Sequence, residues 1–570
     1  MLKKTLLIAL AIFCQFSLWG QGAQTTPTGT LIANQNAAAA MPASALLELR
    51  STNKGMLPPR MTTAQINAIA SPATGLMAYD TDLKCLKTYN GSQWACANAN
   101  IVASTPLSSS FAFKAATNSY MLGESIIADN AGNQIAVGSF YGAITFGSTS
   151  NSRTLTSLGD YDGFIVKHDK NGSLLWATQI GGSGGNQEIL DIALDNTGNI
   201  AVTGYLRYAT NFYSTNGGES AYTTSSSYEQ IFVAKYNSSG VLIWYKVFSS
   251  GGNFHSRGKG VTFDSAGNIL STGNYRGTVA FDGFSLSSTS GTDDIFTAKH
   301  NAANGNIIWV KTAGSGNNGE SGFELVCDAS NNVYVLGHYA GTAMFGESPN
   351  TVTFTSRGDI DIFVMKYTAS GDFTWAKTAG SVVEESMGGI TYSAAANAIY
   401  ICGSYKNALS FGPGLGTNSL TTVGSTSYFN GFLAKYDLNG NILWATRHGN
   451  TSSYHNFSGD IDVDANGNPY ITGTLQYDSW FYSVNSSDNF YVRGVQYGEP
   501  FIAKYNAAGA LQWVVSAIDG YDESTRGISV KNNVAYTIGN FKETINFGYQ
   551  QVHSTNNSYY GDLFIWRYQE

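Results

Sequence analysis

From about residue 111 to its end this chain repeats one phrase seven times, and a fixed period constrains a fold more tightly than any single motif. The phrase is an apolar strand closing on a cation: Phe164-Ile-Val-Lys167, Phe232-Val-Ala-Lys235, Phe296-Thr-Ala-Lys299, Phe363-Val-Met-Lys366, Phe432-Leu-Ala-Lys435, Phe501-Ile-Ala-Lys504 and Phe564-Ile-Trp-Arg567. Successive phenylalanines lie 68, 64, 67, 69, 69 and 63 residues apart. A glycine closes another short β run in every copy: Gly138, Gly204, Gly273, Gly337, Gly403, Gly473 and Gly539. Each copy holds four strand-like segments. Seven such units predict an all-β chain, a seven-bladed β-propeller over residues 111–570.

Composition agrees. There are 64 glycines, 34 tyrosines and 30 phenylalanines, and charged residues make up only 12%, which suits short strands and tight turns. A formal net charge of −8 offers no basic stripe for nucleic acid. The first 23 residues read as an export leader: Lys3-Lys4, an apolar run from Leu6 to Phe13, then small residues near Gly20 and Ala23. That run is too short to span a bilayer, and no later segment is long enough. Cys14 lacks the small residues that precede a lipidated cysteine. The expectation is an exported chain at the cell surface or outside the cell, with the periplasm as the alternative.

Cys85 and Cys96 flank a short turn, and export would permit a hairpin disulfide between them. Cys327 and Cys402 fall on strand positions of different units and read as two buried free thiols. Neither spacing suits zinc.

Residues 24–100 stand outside the repeat. They include Ser44–Gly55, then Leu57-Pro-Pro-Arg-Met61, a capped short helix over Thr62–Ala70, a break at Ser71-Pro-Ala-Thr-Gly75, and two strands, Leu76–Asp80 and Leu86–Trp94. The wording of Lys54–Arg60 and Ala73–Asp82 resembles the N-terminal module of exported Bacteroidota proteins with fibre-like or surface roles. Residues 101–110, rich in Ser, Thr and Pro, read as a linker.

In the second unit strand A is read at Ile189–Asp195, B at Asn199–Gly204, C at Phe232–Tyr236 and D at Val241–Lys246. Asp195-Asn-Thr-Gly-Asn199 joins A to B and is echoed at Asp129–Asn133, Asp264–Asn268 and Asp464–Asn468. Gly-Asn supplies the positive φ of a tight hairpin, and the Asp side chain binds the turn's own amides. A calcium loop is the competing reading, but the alternating carboxylates and distal Glu are missing. The C–D hairpin ends on tryptophan in six copies: Trp176, Trp244, Trp309, Trp375, Trp444 and Trp513. The last copy stops at strand C, while an orphan D-like strand, Ser110-Phe-Ala-Phe113-Lys, precedes the first. Pairing the two would close the ring and hide its edges.

The Asp-x-x-Gly-Asn turn, the Thr-Gly ending strand B, the Phe-x-x-Lys-Tyr strand and the Asn-x-x-Gly-x-Leu-x-Trp hairpin together resemble the seven-bladed propeller (SBBP) repeats of secreted bacterial proteins. Tyr392–Asn397 and Val530–Asn533 depart from that turn. The resemblance implies export and a propeller, and carries no reaction. The Gly-x-x-x-Trp ending is similar to the tryptophan-docking repeats of quinoprotein dehydrogenases and outer-membrane assembly scaffolds. That likeness implies that each Trp packs between neighbouring blades.

The A–B and C–D turns are short, whereas the D–A and B–C connections are long and varied, so the D–A/B–C face is the expected binding face. Counting from each strand-D aromatic gives one column on the D–A loops: Glu124, Glu188, His255, Glu320, Glu385, His455 and Glu523. It could bind a cation or polar ligand near the axis, or be neutralised by the strand-C cations. The B–C segment of the sixth unit, with Tyr477, Trp480 and Tyr482, suits sugar stacking or a protein contact. Phe481 instead aligns with Phe146, Phe345, Phe411 and Phe547 and reads as core. Asp162, Asp294, Asp361, Glu499 and Asp562 recur two residues before the strand-C Phe and read as scaffold.

Nucleophile elbows, zinc helices and phosphate loops are absent from the sequence, and the Gly-Gly pairs open no helix. The expected function is a non-enzymatic binding or adhesion scaffold for a glycan or protein, without cofactor or metal. The competing readings are a polysaccharide lyase or hydrolase using His255, His455 and Glu320, and a structural envelope scaffold.

Overall fold

The computed structural model describes residues 22–26, 29–33, 47–50, 57–81, 85–89, 94–96, 111–117, 120–148, 150–250, 254–314, 319–412, 419–451, 454–484, 489–494, 498–517, 521–547, 550–554 and 561–569. The chain divides into two compact units, Met1–Ala99 and Asn100–Glu570. Most of the expected leader, all of the linker 101–110, and the side chains of Cys85 and Cys96 lie outside the described residues.

In the first unit Gly22–Thr26, Gly29–Ala33 and Leu47–Arg50 form a three-stranded sheet. The short helix runs over Thr63–Asn67, and Thr62 and Gln65 cap it reciprocally, as Ser/Thr-x-x-Gln wording dictates. Arg60–Met61, Met77–Asp80, Cys85–Tyr89 and Trp94–Cys96 form a four-stranded sheet. Its buried Asp80 holds Lys87 at 2.9 Å and accepts from Thr63 Oγ1 at 2.7 Å.

The second unit is an all-β propeller. Repeat 2 shows the plan: Gln187–Leu194 (A), Ile200–Leu206 (B), Gln230–Tyr236 (C) and Leu242–Phe248 (D) form an antiparallel sheet in chain order. The other A strands are Met121–Ala128, Arg257–Phe263, Ser321–Cys327, Glu385–Ser393, Asn456–Val463 and Tyr521–Lys531. In repeat 7 the fourth strand comes from the other end of the chain: Phe111–Thr117 pairs with Asp562–Gln569, setting Lys114 opposite Phe564. Between repeats 7 and 1 Gly123 N donates to Asn540 Oδ1 at 3.1 Å, and Asn540 Nδ2 donates to Met121 O at 2.8 Å. Cys327 and Cys402 are unbridged.

The A–B and C–D end is uniform. Asp195 Oδ1 accepts the amides of Thr197 and Asn199 at 2.9 and 2.8 Å, around Gly198 at φ 84°. Asp129, Asp264, Asp328 and Asp464 repeat the arrangement. The strand-C lysines belong to this end: Lys167, Lys299 and Lys504 meet Asp129, Asp264 and Asp464 at 3.0, 2.9 and 3.6 Å. Five of the six tryptophans, Trp176 to Trp444, dock on the next repeat's C–D turn, while Trp513 packs on Tyr568 at 4.9 Å. Trp244, Trp309 and Trp444 donate to Ala302 O, Ala369 O and Ala507 O at 3.2, 3.3 and 3.3 Å. The same carbonyls accept Lys235, Lys299 and Lys435. Glycine is required beneath the ring: a Cβ on Gly509 would lie 2.3 Å from Val484 Cγ2 and 3.1 Å from Trp444 Cδ2.

The B–C connections are not loops, as the sequence reading had them. Each contains a two-stranded hairpin, such as Thr210–Tyr213 with Glu219–Tyr222 and Ser479–Tyr482 with Asn489–Val492. In repeats 1 to 6 that hairpin pairs with strand D of the preceding repeat: Phe212 faces Ile180, and Phe481 faces His448. One buried phenylalanine per hairpin meets the strand-C phenylalanine of its own repeat. The centroids of Phe481 and Phe501 are 5.1 Å apart, those of Phe345 and Phe363 4.9 Å. In repeats 1 to 6 the hairpin thus latches two neighbouring sheets, and the outer D edge is partly covered.

Candidate functional site

The strand pairing shows that the seven-residue column is not one column. His255 and His455 share a register, directly ahead of strand A. Glu320 and Glu385 stand one residue further on, because Glu385 pairs Tyr405 while Ser321, after Glu320, pairs His338. Glu188, opposite Tyr205, is one residue beyond that, and Glu124 sits at the strand-A bulge beside Gly123. The D–A connections differ in length, so counting from strand D slips by up to four residues. Glu523 directly precedes Ser524, and its side chain lies outside the described residues.

The strand-C cations do not neutralise this set. Glu124 meets Arg526, from strand A of repeat 7, at 3.1 Å, and burial lifts its carboxyl to about 7 against that cation's pull. Glu188 accepts from Asn186 Nδ2 at 3.3 Å. Glu320 and Glu385 are buried, and burial lifts Glu385 to about 8. Among the described residues no group of three or more His, Cys, Asp or Glu side chains is placed to hold a metal ion.

Along the inner wall the A strands carry acids that the sequence reading missed. At one register the repeats read Ser125, Asp191, Gly260, Glu324, Gly389, Asp460 and Gly527. Asp191 Oδ2, Glu324 Oε2 and Asp460 Oδ2 accept the amides of Val261, Ile390 and Ile528 in the next repeat at 2.8, 2.9 and 2.9 Å. A Cβ on Gly389 would fall 2.3 Å from Asp460 Oδ1. The alternation of acid and glycine is therefore steric as well as polar. Burial raises all three carboxyls, and they staple sheets rather than bind ligands. The alternation was present in the sequence for an alignment by strand register to find.

At the loop end two clusters share one plan. In repeats 5 and 6 aromatic rings form a contiguous tract: Tyr477 stacks on Tyr454 at 3.9 Å, and His455 meets Tyr428 at 5.1 Å and Phe457 at 5.6 Å. Lys406 lies over the Phe429 ring at 4.4 Å and pairs with Glu384. Burial, with Lys406 nearby, lowers the His455 pKa and so favours the neutral ring. In repeats 2 and 3 the counterpart is ionic. Buried Glu229 holds Arg207 at 2.6 Å and Arg257 at 2.5 Å, with His255 Nδ1 at 3.4 Å. His255 keeps the same ring partner, Tyr228, at 5.3 Å. The structure thus joins His455 to Tyr477 through Tyr454 and Tyr428. It separates Trp480 and Tyr482, which lie on the latch strand against Tyr491 at 5.2 Å and Arg447 at 4.9 Å. The reading of Phe481 as core agrees with its complete burial.

Residues 32–110 match the family model described as phage tail like trimerisation region. An uncharacterized WD repeat-containing protein of Acanthamoeba polyphaga mimivirus is 26% identical over 500 residues, covering 74% of this chain and 35% of that protein. This chain therefore corresponds to little more than a third of that relative. The solved quinohemoprotein alcohol dehydrogenase of Comamonas testosteroni aligns with a TM-score of 0.36 and 10% identity, over 80% of this chain and 76% of its own. That likeness is too loose to bring its chemistry here.

Proposed function

We propose that this chain is an exported, non-enzymatic binding or adhesion scaffold, joined in threes through residues 32–110, whose propeller presents its D–A/B–C face to a glycan or protein. The observation that carries the reading is the aromatic tract Tyr477–Tyr454–Tyr428–His455, held at the varied end of an otherwise uniform repeat. Half-buried rings with polar tips suit recognition, and variable segments on a rigid scaffold are where binding concentrates. The propeller is a closed ring of seven blades of the SBBP type. Supporting this are the pairing of Phe111–Thr117 with Asp562–Gln569 and the Asn540 bonds to repeat 1. The match to a trimerisation region supports the fibre-type reading of the N-terminal module. Three propellers joined through one trimerisation region would raise avidity without any new contact. The leader-like first 23 residues support export, and protease shaving of intact cells tests surface display, with loss of the intact chain expected.

Glycan-array retention, with product formation followed in parallel, tests the function. The expected outcome is retention without turnover. Turnover abolished by His255→Ala or His455→Ala would replace this reading with the lyase or hydrolase.

A further inference from the structure

Four residues past the strand-B glycine every repeat passes through a left-handed backbone conformation: Gly142 at φ 81°, Tyr208 at 59°, Gly277 at 74°, Gly341 at 64°, Asn407 at 62°, Tyr477 at 58° and Glu543 at 57°. Glycine adopts it freely and asparagine tolerates it. A bulky aromatic there is strained and persists only where its surroundings hold it, most often at ligand sites. The fold does not require tyrosine at this turn, because three repeats make it with glycine.

Both tyrosines are held by the same device, built from different residues. In repeat 2 fully buried Gln187 donates Nε2 to Gly184 O at 3.0 Å and to Arg207 O at 2.8 Å, tying the D–A loop to the residue before Tyr208. In repeat 6 buried Asn450 donates Nδ2 to Tyr454 O at 3.2 Å and to Gln476 O at 2.9 Å, tying the D–A loop to the residue before Tyr477. Tyr477 stacks on Tyr454. Tyr208 lies instead on a glycine step, where a Cβ on Gly185 would come 2.8 Å from its ring, and it remains 38% exposed.

We propose that Tyr208 and Tyr477 are the anchors of two equivalent subsites for the pyranose rings of one polymeric glycan. The inference rests on the reading of this face as a binding face and names its ligand class. A rigid ring with a polar tip complements a sugar's C–H face and hydroxyls at low entropic cost. A protein partner would call for a contiguous apolar centre sealed by a polar rim. Here two separate rings recur in one register of the repeat, which matches a ligand that itself repeats.

Tyr208→Gly and Tyr477→Gly in the full chain separate recognition from folding, since glycine relieves the left-handed strain. The probes are cello-, xylo-, manno-, laminari- and chitohexaose, oligogalacturonate and a proline-rich decapeptide, each titrated calorimetrically. At least one glycan is expected to bind, each glycine variant to weaken it by about tenfold, and neither to melt below the wild type, while Trp480→Ala binds normally. Glycine variants that bind as the wild type, or that melt lower, overturn the proposal, as does binding of the decapeptide alone. Wild-type retention of a glycan unaffected by either glycine variant sinks this inference and leaves the binding reading standing. A wild type that retains neither glycan nor peptide removes the inference, and with it the reading if the array and intact cells also retain nothing.

Discussion

The two ends of the propeller are made by the same strands under opposite rules. At the A–B and C–D end most turns share one plan: in five of the seven repeats an aspartate binds the A–B turn's own amides, in three of these a lysine pairs with that aspartate, and tryptophans dock on the following C–D turns. At the D–A and B–C end the equivalent positions diverge. One left-handed site is Gly, Asn, Glu or Tyr, and one pre-strand position is His255 or His455 where repeat 2 has Asn186. Uniformity marks what the sheets need in order to stack. Divergence marks what the fold leaves free to vary, and the proposed binding face lies there.

The largest effect that would sharpen this contrast concerns the strand both ends depend on. Removing residues 111–116 strips Asp562–Gln569 of its outer partner and Ala143–Ser148 of its neighbour. Aggregation, or a melting temperature lower by about 10 °C or more, is expected from the exposed apolar edge. Deleting residues 24–100 should leave the propeller's melt unchanged. An unchanged melt after the first deletion would show that the N-terminal strand closes nothing.

Next in size is the latch. Phe481 is completely buried against His448 and Phe501, so Phe481→Ala is expected to cost about 3–5 kcal/mol, read from denaturant midpoints. A loss below about 1 kcal/mol would mean that the hairpins are ornament rather than staples.

Smaller, and specific to the contrast, is pH. Burial pulls Asp129, Asp195 and Asp264 upward, but hydrogen bonds from Asn133, Asn199 and Asn268 win and hold them below the usual carboxylate range. At the other end burial wins, lifting Asp162 to about 7, Glu124 to about 7 and Glu385 to about 8. A raised carboxyl keeps a proton in the folded state that the unfolded chain has released. Stability should therefore fall as pH rises from about 4.5 towards 8. The depressed aspartates stabilise above the unfolded pKa of about 3.9, and that contribution is lost as pH falls through their folded values. A melting temperature highest near pH 5 is expected, with Glu385→Gln flattening the alkaline side. A profile rising steadily to pH 8 would contradict the burial of these carboxyls.

What the sequence made legible followed from locality. The turn aspartates and docking tryptophans are short patterns at fixed spacing, and repetition makes them visible. The latches were hidden because the hairpins of repeats 1 to 6 pair with the preceding repeat and keep only one phenylalanine from their neighbours' wording. The Glu/His column failed because D–A connections vary in length and strand A carries a bulge, so residue counting crossed registers. Tyr477 was visible as an aromatic, but the left-handed backbone it shares with Tyr208 is a conformation that no residue count reveals.

Hydrogen–deuterium exchange with a bound oligosaccharide tests most directly whether recognition belongs to the divergent end. Protection is expected at 184–186, 207–209, 454–456 and 476–478, with none at the turns 129–133, 195–199, 264–268 and 464–468. Protection at those turns, with the loop end unchanged, would place recognition on the uniform face and contradict the account.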